Sequence, residues 1–244
     1  MNYKAVLQYD GTRYRGWQTQ GNTDNTIQGK LETLLTKMAG EPVEVNGSGR
    51  TDAGVHAAGQ VISFRCKTKE SPEEICRYMN EYLPEDIAVL SVEEAAPRFH
   101  ARLNAVRKTY VYRIWNAPVR NVFRRKFTTW IQKPLDLEAM EQAATLLCGT
   151  HDYRAFCSLK KFKKSTVRTI EKIEIGKMGQ EIRISYTGDG FLYHMVRILT
   201  GTLVEVGLGL RKPEEMTEIL EGQDRTKAGR LMPPEGLTLE SVEY

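Results

Sequence analysis

The stretch NGSGRTDAGVHA, residues 46–57, holds the residue types best suited to chemistry. It places three glycines around Arg50 and Asp52 and then runs into the apolar-rich segment 60–64. Glycines let the backbone adopt positive φ and approach a ligand closely, and a positioned carboxylate can act as a nucleophile without a separate base. The alternative is that Asp52 caps a turn and pairs with Arg50, as in many Gly-Asp loops.

The composition is that of a globular protein. The chain has 244 residues, 41% hydrophobic and 27% charged, which is enough for one large domain or two modest ones. We find no signal-peptide pattern at the N-terminus and no run of about 20 apolar residues. We therefore expect a cytoplasmic protein that does not associate with membranes.

The cysteines and histidines argue against a metal site. The four cysteines (Cys66, Cys76, Cys148 and Cys157) form no CxxC pair, and the four histidines are scattered. This pattern favours free thiols in a reducing compartment. There is also no phosphate loop and no GxGxxG motif. We expect chemistry with no cofactor and no metal.

Basic residues are concentrated between Arg98 and Lys133. Ten of the 35 Lys and Arg residues lie there without a single acid, so 25 remain elsewhere against 31 acidic residues. A second cluster surrounds Phe162 and consists of Lys160, Lys161, Lys163, Lys164 and Arg168. Cations interleaved with aromatic rings suit looped or single-stranded RNA. The alternative is a solvated charged face with the rings in the core.

Apolar spacing predicts four helices and six strands. The helices lie between Asn25 and Gly40, from Ser71 to Leu83, from Asp136 to Gly149 and from Leu192 to Val206. Asn25 with Gln28 is spaced like a capping box, and Ser71 with Glu74 is a second one. The strands are predicted at 4–9, 61–65, 87–92, 110–115, 170–175 and 182–186.

This order of elements predicts an α+β fold with helices on one face of a mainly antiparallel sheet. We expect two related halves, 1–103 with the Asp52 loop and 104–244, with a central active-site cleft. Identity between the halves is too faint to establish a repeat.

The chain resembles the TruA-type tRNA pseudouridine synthases along essentially its full length. GRTDAGVHA at 49–57 is the most specific of the shared motifs. The others stand in the same order: YDGT (9–12), GWQ (16–18), TIQG (26–29), FHAR (99–102), KTYVY (108–112), GTHD (149–152), FCS (156–158), STVRTI (165–170), FLYHMVR (191–197), PPEGL (233–237) and VEY (242–244).

The resemblance implies a continuous, largely antiparallel sheet shared by the two halves. It implies isomerisation of uridine to pseudouridine in the anticodon arm of tRNA, at positions 38, 39 and 40, by a homodimer. Substrate and product are isomers, so this reaction requires no redox cofactor, ATP or metal.

The resemblance also assigns roles to residues. Asp52 matches the nucleophile, Tyr110 the tyrosine that packs against the target base, and Arg197 the cation that pairs with the aspartate. Tyr112 shares the strand face of Tyr110 and is a possible confusion, since alternate strand residues point the same way. Core packing of Tyr110 and a surface position for Arg197 are the alternatives.

Two single residues and two basic segments have less defined roles. Arg50 is expected to assist base flipping or hold the RNA backbone, while His56 is expected to be structural. The basic run from Arg98 to Lys133 and the lysine cluster at 160–164, with Arg168, would bind tRNA phosphates.

Two other functions remain open. One is a paralogue that applies the same chemistry to a uridine of another RNA. The second is a noncatalytic RNA-binding protein or RNA chaperone on the same scaffold, which would have no chemical need for the set Asp52, Tyr110 and Arg197. A metal-dependent nuclease is disfavoured because no carboxylates and histidines have ligand spacing.

Overall fold

The computed structural model describes every residue from Met1 to Tyr244. It is an α+β protein with five α-helices and a mainly antiparallel sheet of ten strands, which confirms the predicted fold class. The helices are α1 (Ile27–Ala39), α2 (Pro72–Tyr82), α3 (Leu137–Leu146), α4 (Met195–Gly207) and α5 (Glu215–Gly222). The strands are β1 (Asn2–Tyr9), β2 (Val45–Gly47), β3 (His56–Arg65), β4 (Ile87–Glu94), β5 (Arg107–Asn116), β6 (Thr129–Ile131), β7 (Gly149–Asp152), β8 (Val167–Met178), β9 (Glu181–Gly188) and β10 (Leu237–Glu243).

The chain divides into two compact units. The first comprises Met1–Val106 together with Thr238–Tyr244, and the second comprises Arg107–Leu237. The domain division expected from the sequence, 1–103 and 104–244, stays a prediction.

In the first unit, β1 lies between β3 and β4 and is antiparallel to both. The short strand β2 is antiparallel to β3, whereas β10 is parallel to β3, with Thr238 opposite His56. Apolar side chains of these strands are buried with residues of α1 and α2, among them Leu7, Leu35 and Met79. This unit carries the whole loop that contains Asp52.

In the second unit, β9 lies between β5 and β8, again with antiparallel pairing, and β7 pairs with β8. The short strand β6 is parallel to β5. Ile182, Ile184 and Tyr186 of β9 are buried while Arg183 between them is exposed, which confirms the alternation predicted from the sequence.

The helix ends test the predicted caps. Ser71 and Glu74 form the predicted capping box of α2, and Asp136 accepts a hydrogen bond from the Ala139 N–H at the start of α3. The predicted cap of α1 was wrong by one residue: Thr26 accepts from the Gly29 N–H at 3.2 Å. The amide of Asn25 instead donates to the carbonyl of Arg13 at 2.6 Å, a contact that local spacing cannot reveal.

Two further features bear on the class of protein. None of the five helices combines the length and apolar character that crossing a bilayer would require. All four cysteines are free thiols, and burial raises the pKa of Cys66 and Cys148.

Candidate active site

Asp52 is the first residue of a tight turn. Its carbonyl accepts the Val55 N–H at 3.1 Å, and Gly54 at the third position has a φ of +79°. A positive φ at that position is what a type II turn requires, and glycine adopts it without steric cost. Asp52 itself is half-buried, and β3 begins directly after the turn. The sequence around the carboxylate therefore specifies a defined turn.

The preceding segment of the loop is attached to β3. The Ser48 N–H donates to the Val61 carbonyl at 2.8 Å, and the Ser48 hydroxyl donates to Gln60 Oε1 at 2.6 Å. Gln60 Nε2 in turn donates to the Gly49 carbonyl at 3.0 Å. Gln60 is fully buried, so these bonds are made away from water, where losing one is costly. They hold the loop from one side.

The segment after β1 holds the loop from the other side. The Tyr9 hydroxyl lies 2.8 Å from Oγ1 of Thr51, and the Trp17 N–H donates to the Thr51 carbonyl at 3.0 Å. Gly16 has a φ of +95°, and a Cβ there would lie 2.8 Å from the Thr51 carbonyl oxygen. The motifs at 9–12 and 16–18 thus have a physical reason to accompany the Asp52 loop. Sequence reasoning missed these positioning residues, although the motifs that contain them were visible.

His56 has a structural position. Its side chain is buried, and Nδ1 accepts the Gly11 N–H at 3.0 Å. The same nitrogen lies 3.2 Å from Oδ1 of Asp10. A Cβ on Gly11 would lie 2.0 Å from the Val55 carbonyl oxygen, so this segment is pressed against the turn. His56 thus holds the segment that packs against the Asp52 turn, which is a structural contact.

Arg50 precedes the turn and is exposed. Its guanidinium makes no hydrogen bond or ion pair within the protein. Arg50 therefore does not pair with Asp52, which was the alternative interpretation of this loop. An unpaired, exposed arginine beside a candidate nucleophile is available to a ligand.

Tyr110 and Tyr112 lie on β5 in the second unit and differ in what surrounds them. Tyr112 has no exposed surface, its hydroxyl donates to the Pro233 carbonyl at 2.7 Å, and it lies 2.6 Å from the Thr129 hydroxyl. Burial raises its pKa. Tyr110 is also buried, at 8% exposure, and packs edge-on against Phe191, with ring centroids 5.3 Å apart. Both rings therefore lie in the core, and Tyr110 is the less enclosed of the two, which makes it the better candidate for contact with a base.

Arg197 lies in the first turn of α4 and is only 8% exposed, so the surface alternative is wrong. Its Nε donates to the Met232 carbonyl at 2.7 Å. A buried cation needs compensating partners, and the start of a helix disfavours positive charge because the helix dipole is positive there. His194, which lies directly before the first residue of α4, adopts a φ of 65°, which is uncommon for a residue other than glycine. Such costs are typical of functional positions.

The lysine cluster is accessible. Lys160, Lys161, Lys163 and Lys164 are all exposed. Arg168 differs, because it is half-buried and its Nη1 donates to the carbonyls of Ser165 and Val167 at 3.0 and 2.6 Å. Arg168 therefore shapes the loop, while the four lysines can meet an anion.

The basic run between Arg98 and Lys133 is less free than its sequence indicates. Arg107 pairs with Glu171 at 2.7 Å, and Arg124 and Arg113 lie 3.1 and 4.0 Å from Glu181. The acids absent from the run are supplied by β8 and β9. Exposed members without such an ion pair are Arg98, Arg102, Arg120, Arg125 and Lys133.

No group of three or more His, Cys, Asp or Glu residues is arranged to hold a metal ion.

Four exposed lysines within five residues are the electrostatic feature expected of a protein that binds a polyanion such as RNA. Comparison with known proteins defines the family. A model of the family described as tRNA pseudouridine synthase matches residues 5–104 and 143–244, and the chain belongs to that family.

The curated relatives agree over the full length. The chain is 48% identical to the tRNA pseudouridine synthase A of Bacillus sp. (strain KSM-64) and 45% identical to tRNA pseudouridine synthase A 2 of Bacillus anthracis. It is 44% identical to tRNA pseudouridine synthase A 1 of Clostridium tetani. Each match covers 100% of this chain and 99% of the relative. The chain is therefore an isomerase of the pseudouridine synthase class.

Proposed function

We propose that this protein converts uridine to pseudouridine in the anticodon arm of tRNA, at positions 38, 39 and 40, with Asp52 as the nucleophile. The observation that carries the proposal is the Asp52 turn itself, held by Thr51 on one side and by the β3 network around Gln60 on the other. A fixed carboxylate meets the reacting sugar without paying for reorganisation at the moment of reaction.

The reaction balances within the substrate. The bond between N1 of uracil and C1′ of ribose breaks while Asp52 attacks C1′ or stabilises the charge that develops there. The detached uracil rotates, and a bond forms between C5 and C1′ while any bond between Asp52 and C1′ breaks. The proton on C5 then leaves, and N1 gains a proton. Asp52 is regenerated, and no electrons are gained or lost overall.

Arg197 and Tyr110 are proposed to complete the catalytic set. Arg197 would pair with Asp52, a role that its burial in the first turn of α4 supports, because an anionic partner stabilises a cation there. Tyr110 would pack against the uracil after it leaves the base stack, since an aromatic face suits an unstacked base.

The exposed cations are proposed to bind the tRNA backbone. Lys160, Lys161, Lys163 and Lys164 would contact phosphates together with Arg50, and Arg168 would support their loop. We also propose that the protein is a homodimer, following the resemblance, and that it is cytoplasmic, following the pattern of its cysteines.

The test measures tritium release from tRNA transcribed with 5-³H-uridine, because C5 loses its hydrogen only if the new bond forms there. We expect release by the wild type and none by Asp52→Ala, with tRNA binding retained. Asp52→Asn is the matched control, because it keeps the volume of the side chain and removes only its charge. It should also be inactive.

Mapping of the modified nucleotides then tests positions 38, 39 and 40. Equal loss of binding and activity in both Asp52 variants would show that Asp52 is structural. A folded wild type that binds tRNA without releasing tritium would favour an RNA-binding protein or a paralogue with another RNA substrate.

A further inference from the structure

An open groove lies beside the Asp52 turn, within the first unit. Its volume is about 400 Å³. It is lined by the turn residues Ala53 and Gly54, and by Thr12, Arg13, Tyr14, Arg15 and Asn25. The carboxylate of the proposed nucleophile therefore belongs to a residue directly adjacent to the groove wall.

The backbone that carries Arg15 is firmly held. The Arg15 N–H donates to the Asn25 carbonyl at 2.9 Å, and Gln20 Nε2 donates to the Arg15 carbonyl at 3.0 Å. The next residue, Gly16, is the one in which a Cβ would lie 2.8 Å from the Thr51 carbonyl oxygen. Arg15 is thus attached to a frame that contacts the Asp52 loop directly.

The two arginines of the groove differ in their charge balance. Arg13 donates twice to Asp86, at 2.9 and 2.7 Å, and Tyr14 donates to the other oxygen of that carboxylate at 2.5 Å. The positive charge of Arg13 is therefore largely cancelled by the negative charge of Asp86. Arg15 is exposed, and its guanidinium has no hydrogen bond or ion pair within the protein. It provides the uncompensated positive charge of the groove.

We propose that this groove is a phosphate subsite, in which Arg15 binds a backbone phosphodiester of the substrate RNA close to the target uridine. A guanidinium suits this ligand because its planar fork can donate two parallel hydrogen bonds to one phosphate. The inference rests on the proposed function and adds a substrate-binding residue to it. Arg15 does not take part in bond making; its contact is equally strong in the ground state and the transition state, so it lowers KM without changing kcat.

The experiment compares wild type, Arg15→Ala and Arg15→Lys in tRNA binding at several salt concentrations and in tritium-release kinetics. For Arg15→Ala we expect KM to rise about 10-fold with kcat unchanged, and the slope of log affinity against log salt to fall by about one. Arg15→Lys should restore the slope and only part of the affinity, because lysine keeps the charge without the fork. Lys69→Ala, an exposed lysine elsewhere in the first unit, is the matched control and should change neither quantity.

Unchanged KM and salt slope in Arg15→Ala would overturn the proposal, as would a fall in kcat alone or a slope that Arg15→Lys fails to restore. If the groove instead binds free phosphate, inorganic phosphate at constant ionic strength would inhibit the wild type but not Arg15→Ala. In that case the slope of log tRNA affinity against log salt would be the same for the wild type and for Arg15→Ala.

The binding arm separates the two proposals. A wild type that binds tRNA without tritium release contradicts the proposed function, while the salt slope still decides the role of Arg15. A wild type that does not bind tRNA contradicts both.

Discussion

The hydroxyl of Tyr9 lies 2.8 Å from Oγ1 of Thr51, the residue that immediately precedes Asp52. The bond joins the end of β1 to a loop more than forty residues later, and both side chains are buried. Tyr9 is thereby part of the scaffold that holds the loop of the candidate nucleophile.

This bond leads to a prediction about alkaline pH. Burial raises the pKa of Tyr9 from 10.0 to about 12. Between these values the unfolded chain releases the proton and the folded protein keeps it, so the contribution of Tyr9 to stability is fully present below pH 10 and is lost by about pH 12. Denaturant unfolding at stepwise pH should show this decline, and Tyr9→Phe should make it less steep by one proton. An identical pH profile in Tyr9→Phe would contradict the assignment.

Gly16→Ala tests the contact between the backbone of the GWQ motif (16–18) and the Asp52 loop. We expect a loss of both stability and kcat, because the new methyl group meets the Thr51 carbonyl and must displace the loop. Gly40→Ala is the matched control: Gly40 also has a positive φ, at +71°, but a Cβ there would touch nothing.

The control should lose about 1–2 kcal/mol of stability with kcat unchanged for the folded fraction. Urea unfolding and tritium release measure the two quantities. Equal kcat in the two variants would mean that the Asp52 loop tolerates displacement.

Substitutions of Tyr110 and Tyr112 should differ in their effect on kcat, although both side chains are buried and both variants should lose stability. Tyr112→Phe removes a buried hydroxyl from Thr129 and from the Pro233 carbonyl, so we expect a loss of about 1–3 kcal/mol of stability. Its kcat should stay near that of the wild type. Tyr110→Ala should lower kcat strongly, because the ring proposed to hold the base is gone. Chemical denaturation with tritium release separates the effects, and a reversed pattern would make Tyr112 the base-contacting residue.

Replacing Lys161, Lys163 and Lys164 together with alanine should weaken tRNA binding and reduce the salt slope by about 2–3. Stability should not change, because all three side chains are exposed. The control replaces Lys69, Lys177 and Lys227, which are also exposed and lie outside the cluster. If tRNA affinity falls by the same factor in both triple variants, the loss comes from the change in net charge alone. The lysine cluster would then be only a solvated face.

Features encoded by neighbouring residues were predictable. The capping box at Ser71 and the alternation along β9 both appear as expected, because a cap and a strand face depend on residues two or three positions apart. The shift of the first cap from Asn25 to Thr26 shows the limit, since Asn25 is used by a carbonyl twelve positions earlier. Strands β2 and β6 have three residues each, too few to display a period.

For the candidate site, the sequence by itself determined the motifs, the glycines that permit the Asp52 turn, and the family to which the chain belongs. Only the tertiary structure decided which side chains those motifs hold in place. It separated Tyr112 from Tyr110, buried Arg197, and paired three arginines of the basic run with acids from β8 and β9. It also joined β10 to β3. The physical reason is that burial, charge pairing and close backbone approach depend on distances between residues remote in the chain, which local residue order does not specify.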